Sequence, residues 1–156
     1  MTVPTMSTRL TYDLHASLGY QLSLASRMQA RRFEERLGPL GLTRVTWCVL
    51  LAIGNEGLSQ PSDIAEFVGI DRTATSRALR QMETAQLVAR SEGHGDGRTR
   101  TVQLTEHGQG MLVRAIPVAI ENNKLIESRI GAEGRKTLLD LLKKLHAGED
   151  ASLNQL

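Results

Sequence analysis

Residues 71–86 read DRTATSRALRQMETAQ, opening on Asp71 and closing on Gln86. With Arg72 at the origin and about 100° per residue, Arg72, Thr73, Ser76, Arg77, Arg80 and Gln81 fall within roughly one half of a helical circumference. Ala74, Ala78, Leu79, Met82 and Ala85 fall on the other half. The second face is small and apolar and suits close packing on neighbouring helices. The first carries three arginines, two short hydroxyls and an amide, with no acid between Asp71 and Glu83. Arginine forks pair bidentately with guanine edges or grip phosphates, and Ser and Thr reach bases or backbone, so this face has the chemistry of a major-groove reader. An ordinary solvated helix face is the competing reading of such a pattern, and the flanking sequence decides between them.

Immediately upstream, Ser59 or Ser62 opens a short helix carrying Ile64, Ala65 and Val68. Gly69 ends it where a left-handed residue is usually required, and Asp71 caps the next helix. Two helices joined by the tight turn VGID form a helix-turn-helix, in which the second helix enters the major groove. Downstream, Leu87–Ser91 and Arg100–Leu104 read as strands joined by the glycine-rich EGHGDGRT, a β-hairpin with a long tip. His94, Asp96, Arg98 and Arg100 lie at that tip, a basic element suited to phosphates or to the minor groove beside the helix. The same glycines do not make a nucleotide loop, because GxxxxGK[ST] spacing is missing and the segment lies between strands.

Further out, leucines and alanines recur at helical spacing from about Tyr12 to Leu37, predicting one long helix that GPLGL (38–42) ends. Thr43 N-caps a second helix containing Trp47, Leu50 and Leu51, which Gly54–Gly57 stops. Thr105 caps a helix to about Arg129 with Pro117 inside it, and Gly131–Gly134 divides that from a last, leucine-rich helix. The fold expected is mainly α with a small β-hairpin wing: a winged helix-turn-helix plus a helical layer for dimerisation. The whole chain, 1–156, reads as one domain, with 12–37 and 105–148 forming the helical layer and 43–104 the lobe that faces DNA.

Composition narrows the function. At 156 residues, 40% hydrophobic and net charge +2, the chain is long enough to bury a core without disulfides or structural metal. A single cysteine, Cys48, excludes an intramolecular disulfide and cysteine-pair zinc sites. Its apolar setting between Trp47 and Val49 reads as an inert thiol, with a cysteine-based redox sensor as the alternative. Five aromatic residues are too few for base-stacking platforms. The four histidines are scattered, and neither HExxH, GxSxG nor paired-carboxylate spacing occurs, so an enzyme is not expected. No apolar run approaches the length of a membrane span and no secretory h-region opens the chain, which predicts a cytoplasmic location.

The stretch from Leu42 to Gly110 resembles the winged helix-turn-helix of the multiple antibiotic resistance regulators, the MarR family. The matching marks are LT before a Trp-containing helix (Leu42, Thr43, Trp47), DR at Asp71 and Arg72, DxR in the wing (Asp96, Arg98), and LTxxG (Leu104, Thr105, Gly108). One departure is Gln86, where the family usually has glycine after the recognition helix. The resemblance implies a homodimer of intertwined helices that binds double-stranded DNA at a pseudo-palindromic operator, most often as a repressor, with no cofactor. It implies that Asp96 holds Arg98 and that Arg98 contacts DNA. Ser59, Arg72, Thr73, Thr75, Ser76, Arg77, Arg80, Asp96, Arg98 and Arg100 are the candidate DNA contacts. Many relatives answer small aromatic or lipophilic effectors, for which His15, Tyr20, Arg27 and Trp47 are the candidates. A winged helix that contacts protein instead of DNA is the rival function, since the fold alone does not choose between them.

Overall fold

A computed structural model describes residues 11–92, 100–150, 152, 153 and 156. Helix α1 (Leu18–Leu37) leads through a 3₁₀ turn (Gly38–Leu40) into α2 (Arg44–Gly54), α3 (Pro61–Val68) and α4 (Arg72–Thr84). Strands β1 (Val88–Glu92) and β2 (Arg100–Leu104) pair antiparallel, with Val88 opposite Leu104 and Glu92 opposite Arg100. Helix α5 (Glu106–His146) closes the order and is interrupted at Gly131, whose φ of 72° and ψ of 172° are not helical. That break stands where the sequence places one.

Most caps follow the sequence. The Thr43 hydroxyl accepts from the Thr46 amide while Thr46 Oγ1 accepts from the Thr43 amide, a reciprocal box that starts α2. Asp71 accepts from the Ala74 amide at 2.7 Å and starts α4, and Thr105 accepts from the Gly108 amide and starts α5. Gly69 takes φ 80° at the end of α3, as its position requires.

Three boundaries differ from the sequence reading. Helix α1 starts at Leu18, not near Tyr12, because Asp13 Oδ1 accepts from the amides of His15 and Ala16 and holds a turn that Ser17 then converts into a helix by capping Tyr20. Helix α3 is opened by neither serine: Gln60 is its N-cap without a side-chain bond, and Pro61, whose missing N–H costs nothing in the first turn, fixes the start. Strand β1 begins at Val88, since Leu87 is used in the helix exit instead.

That exit is a Schellman motif. The Leu87 amide reaches the Met82 carbonyl at 2.8 Å and the Gln86 amide reaches Glu83 at 3.0 Å, with Gln86 at φ 58°. Gln86 is the sole non-glycine residue with positive φ among the described residues, so the geometry that glycine would favour is retained despite the side chain.

One core joins the two halves. Leu37, Trp47, Val49, Leu50, Ile53, Ile64, Leu79, Met82, Val102 and Leu112 are buried together. The wing is pinned to the rest of the lobe by two backbone bonds, one at the middle of β2 and one at the root. The Val102 amide bonds to the Ser59 carbonyl ahead of α3, and the Thr105 amide bonds to the Leu87 carbonyl. Gly108 makes the second contact possible, because a Cβ there would lie 2.0 Å from the Leu87 carbonyl oxygen. The LTxxG mark is therefore a mechanical joint: Thr105 caps, and the bare Gly108 lets the helix approach the strand. No single helix among the described residues is long and apolar enough to cross a membrane.

Candidate nucleic-acid interface

Helix α4 buries Ala78, Leu79 and Met82 and leaves Arg72, Thr73, Arg77, Arg80 and Gln81 exposed. Ser76 is half-buried on the edge of that face. None of the three arginines joins an ion pair among the described residues. Three guanidinium groups thus present their donors to solvent over about two turns of one helix, on a face without a carboxylate until Glu83. Charge so placed attracts polyanions, and its rigid helical spacing suits the edge pattern of a groove.

Thr75 corrects the sequence reading. It is 1% exposed, and its Oγ1 donates to the Asp71 carbonyl one turn back at 2.9 Å. Its hydroxyl is consumed inside the helix and cannot reach a partner outside it. Ser59 is half-buried and its carbonyl accepts from the Val102 amide in the middle of β2, while Arg100 is exposed at the first position of β2. His94, Asp96 and Arg98 lie outside the described residues.

Beside the N-terminal half of α4 is a pocket of about 320 Å³ lined by Pro61, Ser62, Arg72, Thr75, Ser76, Leu79 and Arg90. Arg90 was not singled out from the sequence, because it stands on a strand and not on the arginine-bearing helix. Its Nε and Nη2 are buried and have no hydrogen-bond partner among the described residues. Glu83 Oε2 lies 3.4 Å from Nε, close enough to balance charge but not aligned as a hydrogen bond. A half-buried guanidinium with two donors unused among the described residues, two serine hydroxyls and an apolar wall can hold a small anion with an apolar body. Its unsatisfied donors are visible only once α3, α4 and β1 have come together.

The candidate effector residues divide. His15 and Tyr20 come together, their rings 4.9 Å apart, with His15 exposed and Tyr20 half-buried. Arg27 is exposed and donates to the Ser23 carbonyl of its own helix. Trp47 is a correction: at 7% exposure, edge-on to Phe33 at 6.4 Å, it is a core residue, and a ring so enclosed has no free face for a ligand. Cys48 is half-buried, and burial pushes its thiol above the ordinary value, partly offset by Arg44.

Fold and face together define a winged helix-turn-helix protein of the DNA-binding class. Residues 40–99 match the profile of the MarR family. Over these residues, the helix-turn-helix and part of the wing, the chain is similar to that family of transcriptional regulators. It is 26% identical over 134 residues to the HTH-type transcriptional repressor NicR of Pseudomonas putida, covering 86% of this chain and 85% of that one. Among solved structures it is similar to the transcriptional repressor CouR bound to a 23-mer DNA duplex, with TM-score 0.77, 27% identity, and 85% and 94% of the two chains covered. It is also similar in fold to Bordetella bronchiseptica BpsR, whose DNA binding is regulated by 6-hydroxynicotinic acid, with TM-score 0.79, 21% identity, and 86% and 98% covered.

Proposed function

We propose that the chain is an effector-responsive repressor that binds a pseudo-palindromic operator as a homodimer, reading the major groove with the outer face of α4. The observation that carries this reading is the exposed face of Arg72, Arg77 and Arg80 on the second helix of the helix-turn-helix, with no acid on that helix before Glu83. Arg72, Thr73, Ser76, Arg77 and Arg80 are the proposed groove contacts, with Ser59 beside β2, Arg100 at the loop end of β2, and Asp96 and Arg98 in the connection that precedes it. CouR, bound to DNA in one structure and to p-coumaroyl-CoA in another, supports the pairing of operator and effector in this fold.

Dimerisation rests on the helices outside the lobe. Between α1 and the two parts of α5 runs an apolar groove of about 480 Å³ lined by Leu22, Ala25, Met28, Ile126, Ile130, Leu138 and Leu142, among others. Leu138, Leu139, Leu141 and Leu145 are each at least 40% exposed. Contiguous apolar surface on this scale marks an interface, and a two-fold partner supplies the same leucines in return.

The effector we assign is a small aromatic or otherwise lipophilic acid. The pocket of Ser62, Ser76 and Arg90 supports it: Arg72 and Ser76 line that pocket and also belong to the reading face, so occupancy and groove contact draw on the same side chains. Fluorescence anisotropy on operator DNA tests the reading. Arg77→Ala is expected to weaken specific binding, and a panel of aromatic acids to release the parent but not Arg90→Ala. Equal binding by parent and Arg77→Ala, or a monomer by light scattering at micromolar concentration, would overturn it.

A further inference from the structure

The segment that follows α5 returns to the helix-turn-helix. Leu153 lies alongside Ile70 as a parallel bridge: the Asp71 amide donates to the Leu153 carbonyl at 2.7 Å, and the Leu153 amide donates to the Gly69 carbonyl at 3.1 Å. Gly69–Asp71 is the turn between α3 and α4, so this segment pairs with the backbone that sets the angle of the reading helix. Farther on, the Leu156 carbonyl accepts from Arg44 Nη2, and Leu156 shares a groove with Arg77 and Gln81. On the approach, Glu149 and Asp150 line a second groove together with Glu66 and Arg72.

We propose that this segment is an autoinhibitory strap that competes with DNA for the start of α4. The inference rests on the reading of α4 as the DNA-binding helix. Three features support competition over simple bracing. The strap brings two carboxylates into the groove of Arg72, the first arginine of the reading face, where their charge opposes the approach of a phosphate backbone. It brings Leu156 into the groove that Arg77, the second, also lines. It is held by two backbone bonds at Leu153 and one exposed bond from Arg44, not by buried side chains, since Leu153 is 58% and Leu156 is 37% exposed. Attachment of that kind opens at low free-energy cost, which a displaceable element needs. The Asp71 carboxylate, already engaged with the Ala74 amide, keeps α4 capped when the strap leaves.

The test compares three proteins by anisotropy on operator DNA at fixed salt: the full chain, a variant ending at Gly148, and the double variant Glu149→Gln with Asp150→Asn. The shortened chain is expected to bind roughly threefold to tenfold more tightly, and the double variant to gain part of that without losing the backbone pairing. Amide hydrogen exchange supplies a second reading, with Asp71 and Leu153 protected in the free full chain and Leu153 released on adding DNA. Equal or weaker binding by the shortened chain overturns autoinhibition, and unprotected amides in the free chain overturn the strap itself. If no form binds DNA but the amides are protected, the reading of α4 has failed while the strap stands, and its inhibitory role falls with that reading.

Discussion

Gly108→Ala isolates the joint between α5 and the wing. The added Cβ would lie 2.0 Å from the Leu87 carbonyl oxygen, 2.9 Å from its carbonyl carbon and 3.3 Å from its Cα. A carbon–oxygen contact needs about 3.3 Å or more, so strand or helix must retreat by more than about 1 Å. The obstacle is backbone, and the same oxygen already accepts from the Thr105 amide at 3.0 Å, so the retreat also weakens that bond. Overpacking of this kind costs about 1–3 kcal/mol, and a rigid backbone obstacle sets it at the upper end. Replacing helical Gly by Ala returns about 0.5–1 kcal/mol. The net loss is about 2 kcal/mol, which lowers Tm by about 4–8 °C in a chain of this length. Gly110, two residues along the same helix, is the control: a Cβ there meets nothing within 4 Å. Gly110→Ala should therefore gain about 0.5–1 kcal/mol and raise Tm by about 1–4 °C. Calorimetry on the two variants gives shifts of opposite sign if the joint is as described. A Gly108→Ala protein as stable as its parent, or two shifts of the same sign, would refute the reasoning.

Gln86→Gly should stabilise the protein by up to about 1 kcal/mol in denaturant titration, because glycine occupies φ 58° without the Cβ penalty. Arg72→Ala and Arg77→Ala should each cost about 1–3 kcal/mol of operator binding and blur base preference at one position, as read by competition with single-base variants. Arg98→Ala should weaken binding to all sequences alike and reduce the salt slope by about 1 if the wing tip grips backbone. Cys48, its thiol pushed up by burial, should react with iodoacetamide at pH 8 far more slowly in the native protein than in urea. Because the unfolded chain ionises this thiol first, the site's contribution to stability is complete below the ordinary thiol range and is lost as pH rises through and above it.

What was legible in the sequence was whatever a side chain announces. Asp71, Thr43 and Thr105 are short oxygen-bearing residues that cap helices in the positions their spacing implies, and Gly69 turns where only glycine turns freely. The 100° periodicity separates the arginine face of α4 from its apolar face because that helix is half-buried, the condition under which periodicity carries information. Boundaries blurred where two local options compete: Asp13 and Ser17 are both cap residues, and the turn of the first delays the helix of the second. Thr75 was misassigned because a hydroxyl that bonds back to its own helix looks the same in sequence as one that faces outward. Arg90 was not legible, since its pocket is assembled from α3, α4 and β1, which meet only after folding. Neither was the pairing of Leu153 with the turn of the helix-turn-helix, because pairing between backbones leaves no mark on side-chain identity.

The central claim is that α4 reads double-stranded DNA as one half of a two-fold dimer. Selection of bound duplexes from a random double-stranded library by the full chain, repeated with Arg77→Ala, tests it most directly. The account predicts enrichment of a pseudo-palindrome whose half-sites are about one helical turn, roughly 10 base pairs, apart, with the preference blurred or lost in the variant. A library that emerges unenriched, or the same motif selected equally well by Arg77→Ala, would contradict it.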